Sequence, residues 1–157
     1  AYLIPRDAVG AVKMLLRHGI TVERLEESVT LEIEAYTIAG VTYERAYNHV
    51  AAARVEVDEV ITEERDFPVG TYLVPTAQYL GRLAAHMLEP ETDDNVIYWN
   101  TMDAWLPRPN SQAARLGGLP TGPGGPAPEE DRGPLIVPIY KLMESVTLNS
   151  RVIEEPY

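Results

Sequence analysis

The feature that most constrains the fold of this chain is the alternation of apolar and charged side chains between residues 21 and 62. The run VTLEIEAY at 29–36 places every second residue on one face, and TVERL at 21–25 and ARVEV at 53–57 repeat the pattern. A period of two is typical of antiparallel strands that bury one face. Residues 41–43 and 60–62 continue the pattern, and short apolar runs at 2–4 and 71–74 indicate further strands. The sequence therefore predicts a mainly β protein, which we expect to be an antiparallel β-sandwich.

Two segments show helical spacing instead. The first lies near residues 7–18, where Asp7 is the expected N-cap and Gly19 the expected residue after the C-terminus. The second lies near residues 77–89, where Thr76 is the expected N-cap and Pro90 ends the helix. Apolar residues at helical spacing predict one buried stripe on each helix; these are Val9, Val12, Leu15 and Leu16 in the first, and Leu80, Leu83, Ala84, Met87 and Leu88 in the second.

The chain divides by composition into three parts. A sandwich core is predicted over 1–106, and residues 96–105 within it are expected to form a short helix or strand. Residues 107–134 contain PTGPGGPAP, which sustains neither a helix nor a β ladder and predicts a linker. A strand and tail follow over 135–157, with smaller strands expected at 146–148 and 152–153.

The linker is long enough for the last strand to close its own sandwich or to add to a neighbouring copy. Addition to another copy would couple subunits into a homo-oligomer, a tube or a filament. The residues of this candidate assembly strand are Leu135, Ile136, Val137, Ile139 and Tyr140.

Charge and composition exclude several classes of function. The formal net charge is −11, and the 13 basic residues are scattered along the chain. Nucleic acids and anionic membranes require clustered Lys and Arg, so neither is an expected partner. The absence of cysteine excludes disulfides, thiolate metal sites and a cysteine nucleophile. No apolar run approaches the roughly 18 residues of a membrane span.

The opening residues AYLIP have neither an initiator Met nor a signal pattern, and they start within a predicted strand. We therefore expect the chain to be a piece of a longer precursor.

Several segments, in order along the chain, resemble the C-terminal region of bacterial M14-type zinc carboxypeptidase-like proteins. They are LLRHGI at 15–20, GTYLVPTAQ at 70–78, LEPETDD at 88–94, WN at 99–100 and VPIYKL at 137–142. The resemblance implies a non-catalytic β-sandwich region and an extracellular or periplasmic location. It also implies that the catalytic zinc is held by an upstream domain, through a His-x-x-Glu pair and a distant His.

His86 and Glu89 match the His-x-x-Glu spacing and could share one face of the second helix. A zinc site would need a third ligand, and no pattern places His18 or His49 beside them. We therefore interpret His86 as a cation near the C-terminus of the helix and Glu89 as a solvated residue before Pro90.

Two other clusters could bind ligands. The carboxylates of Glu89, Glu91, Asp93 and Asp94 could offer oxygens to calcium, but they lack the spacing of a dedicated loop and favour a solvated acidic turn. Tyr98, Trp99 and Trp105 could form a ligand platform, although aromatic residues in this setting more often belong to a core or an interface.

The favoured hypothesis is a non-catalytic structural or interaction domain from a secreted carboxypeptidase-like precursor, with other copies of itself as partners. The alternative is an accessory domain that stabilises or gates its own peptidase domain in cis. A third is a small metal-dependent hydrolase that uses His86 and Glu89. No catalytic, cofactor-binding or metal-binding residue is assigned.

Overall fold

The computed structural model describes residues 1–44, 51–106 and 135–156. The helices are α1 (Val9–Arg17) and α2 (Gly81–Leu88), and a 3-10 helix spans Asp103–Trp105. The strands are β1 (Tyr2–Ile4), β2 (Val22–Leu25), β3 (Val29–Tyr43), β4 (Ala53–Phe67), β5 (Tyr72–Val74), β6 (Tyr140–Lys141) and β7 (Ser150–Ile153). The predicted mainly β class with two helices is confirmed. The predicted linker lies outside the described residues.

The described strands form one antiparallel sheet in the order β4-β3-β6-β1-β5-β2-β7. Within this single sheet, apolar side chains at the start of the β3–β4 hairpin pack against side chains of β1, β2 and β5. The physical reason is the connection between β2 and β3: only residues 26–28 separate them, yet the two strands stand four places apart in the sheet. The start of the β3–β4 hairpin therefore packs across the other strands.

Two apolar cores result. The main core contains both helices and includes Tyr2 and Ile4 of β1, together with Leu15 and Leu88. The second core joins Leu3 of β1 to the start of the hairpin and includes Leu25, Leu31, Ile33, Phe67, Leu73 and Leu142. Because β1 and β5 are covered on both faces, their sequences YLI and YLV are continuously apolar instead of alternating.

Both helices start later than the sequence predicts. Helix α1 has Ala8 at its N-cap, with no side-chain capping bond, so Asp7 does not cap it. Helix α2 starts at Gly81, with Leu80 at its N-cap, so Thr76 does not cap it either. The C-terminal prediction for α1 is confirmed, because Gly19 has a φ of 77°, which favours glycine.

The late start of α2 has a local cause in Gln78. Its side-chain amide accepts a hydrogen bond from the Thr21 backbone N–H at 2.7 Å. The same amide donates to the Thr21 and Pro75 carbonyls at 2.9 and 2.6 Å. These bonds hold residues 76–80 against the start of β2. The chain then turns so tightly that a Cβ on Gly81 would lie 1.9 Å from the Thr76 carbonyl oxygen.

The hairpin strands and the strand predicted at 152–153 are longer than expected, whereas the strand expected from residue 135 is shorter. The pieces expected at 29–36 and 41–43 join into β3, with register shifts between Tyr36 and Gly40. Residues 96–102 form turns ahead of the 3-10 helix. Residues 135–139, which were predicted to be part of a strand, form only an isolated bridge between Ile136 and Thr37. Residues 146–148 form no strand, and β7 begins at Ser150.

Candidate functional site

The most developed polar site of the described chain lies where α2 ends. Glu89 follows Leu88 and has an extended backbone, with φ −75° and ψ 128°. Side chains three apart share a face only while the backbone stays helical. The Glu89 carboxylate therefore reaches strands of the sheet, while His86 remains exposed on the helix.

Three donors from three different strands meet on this carboxylate. The Tyr2 hydroxyl of β1 donates to Glu89 Oε1 at 2.5 Å, and the Tyr36 hydroxyl of β3 donates to Glu89 Oε2. Lys141 Nζ of β6 lies 2.7 Å from Glu89 Oε1. We call these four residues the Glu89 cluster. The sequence-based interpretation of Glu89 as a solvated residue was wrong, because only 26% of its side chain is exposed.

The surroundings of the Glu89 cluster shift the pKa values of its carboxylate and its two phenols. Burial by itself would raise the pKa of Glu89, but the bonds from Lys141, Tyr2 and Tyr36 outweigh it and hold the pKa below its ordinary value of 4.5. Burial, and then the bond to Glu89, raise the pKa of both Tyr2 and Tyr36 above 10.0. Lys141 Nζ also lies 5.0 Å from the centre of the Tyr36 ring.

These shifts move the pKa values of Glu89, Tyr2 and Tyr36 away from neutrality. General acid–base catalysis works best with a pKa near the operating pH. In the Glu89 cluster the carboxylate is a weaker base than usual, and the two phenols are weaker acids. The arrangement can join four segments of the chain, and its charged groups already have partners within the chain.

A second site is an open groove on the outer side of the helices. We call it the His86 groove; it has a volume of about 510 Å³ and is lined by Met14, His18, Leu83, His86, Met87, Asp94 and Trp99. The structure brings His18 to the same groove as His86, which no sequence pattern had indicated. His18 Nδ1 lies 2.8 Å from the Met14 carbonyl oxygen. His49 lies outside the described residues.

Glu89 does not line the His86 groove. Hence the His-x-x-Glu spacing does not make a shared site for His86 and Glu89. Across residues 1–44, 51–106 and 135–156, no group of three or more His, Cys, Asp or Glu side chains is arranged to hold a metal ion.

The carboxylates of the acidic turn contact different parts of the protein. The side chain of Glu91 accepts the Val57 backbone N–H at 3.0 Å, and Asp93 pairs with Arg54 at 3.2 Å. Asp94 lines the His86 groove and has a φ of 61°. The predicted solvated turn is therefore correct for the exposed Asp93 but wrong for Glu89. The four carboxylates have different surroundings and do not converge.

Asn95 organises this turn, and the sequence interpretation missed it. Its side-chain amide donates to the Pro90 and Thr92 carbonyls at 3.0 and 2.5 Å and accepts the Ile97 and Tyr98 backbone N–H groups at 2.9 and 2.8 Å. The signal that could have found it is an Asn at the end of a polar run, since Asn often bonds nearby backbone.

The aromatic residues 98, 99 and 105 do not form one platform. Tyr98 packs edge-on against Trp99 at 5.3 Å, stacks with the Arg54 guanidinium at 4.9 Å and donates to Glu44 at 3.1 Å. Trp99 is 45% exposed, whereas Trp105 packs against the main core. Tyr98 and Trp105 therefore fit the interpretation of these aromatic residues as structural rather than as a ligand platform.

The candidate assembly strand lies against its own chain. The Leu135 carbonyl accepts the Ile38 N–H at 2.8 Å, and the Val137 N–H donates to the Tyr36 carbonyl at 2.9 Å. Val137 and Ile139 are fully buried, Ile136 and Tyr140 are partly buried, and Leu135 is 42% exposed. Exchange of this segment between copies stays a prediction.

Comparison with known proteins identifies related sequences. The chain is 32% identical over 95 residues to carboxypeptidase 2 of Trichophyton tonsurans, which covers 60% of this chain and 18% of the relative. It is 34% identical over 111 residues to carboxypeptidase 2 of Trichophyton rubrum, covering 67% of this chain and 20% of the relative.

This chain is similar to part of a fungal carboxypeptidase. It spans only a fifth or less of the length of the relatives it matches. The carboxypeptidase part of the sequence-based resemblance is therefore confirmed, whereas the relatives are fungal rather than bacterial. No protein-family model and no solved structure matches the chain. None of the described helices is long and apolar enough to cross a membrane.

Proposed function

We propose that this chain is a non-catalytic structural domain of a secreted carboxypeptidase-like protein, with the peptidase activity carried by another part of that protein. The observation that carries the proposal is the Glu89 cluster. It includes the only glutamate that follows a histidine by three residues in the sequence, and that glutamate binds the strands of its own domain.

Two further observations support the proposal. The similarity to carboxypeptidase 2 covers a fifth or less of each relative, as expected for one domain of a larger protein. The described part of the chain also has its own buried core, with strands and helices packed in sequence-distant contacts. A self-contained core is what an accessory domain needs in order to fold beside another domain.

An activity assay tests the non-catalytic proposal. The purified chain is incubated with a peptide that has a free C-terminal carboxylate, with and without added zinc. We expect no release of the terminal residue, and the same result from the His86→Ala variant. Zinc-dependent turnover by the chain that disappears in His86→Ala would overturn the proposal in favour of the metal-dependent hydrolase.

Self-assembly is the second candidate function, and one observation favours it. The segment before β6 buries Val137 and Ile139 in the core. The strand that follows it, β6, pairs with only two residues of β1 and one residue of β3. Because these pairings are so few, β6 could make the same ones with a second copy of the chain. In that case the same buried contacts would join subunits.

Deleting residues 135–157 would be a poor test, because it removes buried Val137 and Ile139 and so endangers folding. A disulfide is a cleaner test because the chain has no cysteine. Glu23 and Val152 are paired across β2 and β7, and Val152 is 63% exposed. The Glu23→Cys/Val152→Cys variant should form covalent dimers or ladders in a non-reducing gel if copies exchange tails. Disulfide-linked monomers alone would rule out exchange.

A further inference from the structure

The His86 groove combines an apolar wall with an aromatic ring. Leu83 and the buried Met87 of α2 line it together with Met14 of α1, and Trp99, which is 45% exposed, completes this part of the lining. The volume of about 510 Å³ lies within the range of pockets that bind small ligands. An aliphatic chain or a flat group would therefore find both shelter from water and a surface to stack on.

The polar groups of the groove favour a ligand that donates hydrogen bonds. Asp94 supplies a carboxylate, and neither Lys nor Arg is among the described residues that line the groove. His18 Nδ1 lies 2.8 Å from the Met14 carbonyl oxygen, and a carbonyl oxygen can only accept, so this ring nitrogen carries the hydrogen. In the neutral ring, Nε2 of His18 is then an acceptor. The described lining thus offers acceptors and a negative charge.

Both helices end at this groove. His18 is the C-cap residue of α1, and His86 lies in the last turn of α2. The C-terminus of a helix carries a partial negative charge, which favours a cation placed within reach of the last turn. The chain as a whole has a formal net charge of −11, which attracts cations over a longer range. The local and the overall electrostatics therefore favour a ligand with a positive charge.

An arginine side chain satisfies these features together. Its guanidinium group is planar, carries several N–H donors and stacks on aromatic faces, as the ring of Trp99 would allow. Two parallel donors of the same group match both oxygens of a carboxylate such as Asp94. Its aliphatic stem can cover Leu83 and Met14 while the charged end stays near water. A lysine ammonium group would pair with the carboxylate but would not make the stacked and bidentate contacts.

We propose that the His86 groove binds an arginine side chain of a peptide, with the guanidinium group stacked on the Trp99 ring and paired with the Asp94 carboxylate. This binding role goes beyond the proposed structural function and does not depend on it. Arginine and tryptophan are both common anchor residues of protein interfaces. A single arginine would thus hold a basic peptide segment on the outer side of the helices.

A titration with two matched peptides tests the proposal. The probes are acetyl-Ala-Arg-Ala-amide and the same peptide with citrulline, whose neutral urea group has nearly the shape of guanidinium. Binding is followed by the NMR signal of the Trp99 indole N–H at low salt and about pH 8, where histidine side chains are generally neutral. The indole of Trp105, which packs against the main core, is the internal reference. We expect the arginine peptide to bind about five- to tenfold more tightly than the citrulline peptide.

A pair of matched variants tests the role of the carboxylate. Asp94→Asn removes the negative charge and keeps the shape, and Asn tolerates the φ of 61° at this position, so the variant should fold. We expect it to weaken binding of the arginine peptide about threefold and to leave the citrulline peptide unaffected. The control Asp93→Asn removes the same charge from the next residue, which pairs with Arg54 and does not line the groove. It should change neither affinity.

Equal affinities for the arginine and citrulline peptides would overturn the proposal, because the positive charge would then have no role. So would a loss in Asp93→Asn as large as that in Asp94→Asn, since it would reflect a general attraction to an acidic chain. A response of the Trp105 indole without one of the Trp99 indole would place the binding outside the groove and would also overturn it. A circular dichroism spectrum of each variant confirms that both are folded.

Discussion

The Glu89 cluster and the His86 groove show how differently two residues three apart can be used. Glu89 meets donors from β1, β3 and β6, and its side chain is mostly buried. His86 is exposed beside an open groove. The cause is the end of the helix between them, because the extended backbone at Glu89 turns its side chain toward the sheet. A spacing motif has its chemical meaning only if the secondary structure it assumes continues through both residues.

The largest expected effect comes from removing the central carboxylate. Glu89→Ala leaves the two phenols and the Lys141 ammonium without their shared acceptor, so we expect a loss of about 2–4 kcal/mol in the free energy of unfolding. Urea denaturation at neutral pH measures it. Glu154→Ala, at an exposed carboxylate, is the matched control. A loss no greater than that of the control would show that the Glu89 cluster does not stabilise the fold.

Removal of single donors should have a smaller effect. Tyr2→Phe and Tyr36→Phe each delete one hydrogen bond to a charged acceptor and keep the ring, so we expect losses of about 1–2 kcal/mol each. Because both phenols bind the same carboxylate, the double variant should deviate from the sum of the single ones. Strict additivity, measured in the same urea experiment, would contradict a shared site.

Acidification should abolish the contribution of Glu89. Its pKa is lowered in the folded state, so its stabilisation is fully present above 4.5 and is lost as the pH falls through the folded-state value below 4.5. The difference in unfolding free energy between the native chain and Glu89→Gln should therefore shrink as the pH falls below 4.5. Comparison with Glu154→Gln separates this effect from general acid titration. A constant difference would argue against an ionised Glu89.

The smallest effect is expected in the His86 groove. His86→Ala removes an exposed side chain, so its free energy of unfolding should stay within about 0.5 kcal/mol of the native value. If His86→Ala were as damaging as Glu89→Ala, the contrast between the two regions would be wrong, and a hidden interaction of His86 would have to be found.

Some of the fold follows from local sequence. The alternation at 29–36 predicted a strand there, and apolar residues at helical spacing predicted α2. Gly19 predicted the end of α1, because glycine tolerates its positive φ. Predictions of the helix starts failed at Asp7 and Thr76. At Thr76 the cause is a distant contact, because the bonds of Gln78 with Thr21 hold residues 76–80 outside the helix.

The candidate site was far less accessible to prediction. Tyr2, Tyr36 and Lys141 carry no local signal, and each lies 34 or more positions from the next along the chain. The structure joins them because β6 pairs with both β1 and β3 in the described sheet. The paired strands then present three donors to one carboxylate.

The sequence by itself determined the class of this protein: strands with a period of two, two amphipathic helices and a strongly acidic surface. These properties arise from neighbouring residues and from composition, so they need no knowledge of long-range contacts. The tertiary structure alone decided the order of the strands, the crossing of the hairpin and the partners of Glu89. Those depend on which distant segments pack together, because the burial of a polar group is stable only where the whole fold supplies its hydrogen bonds.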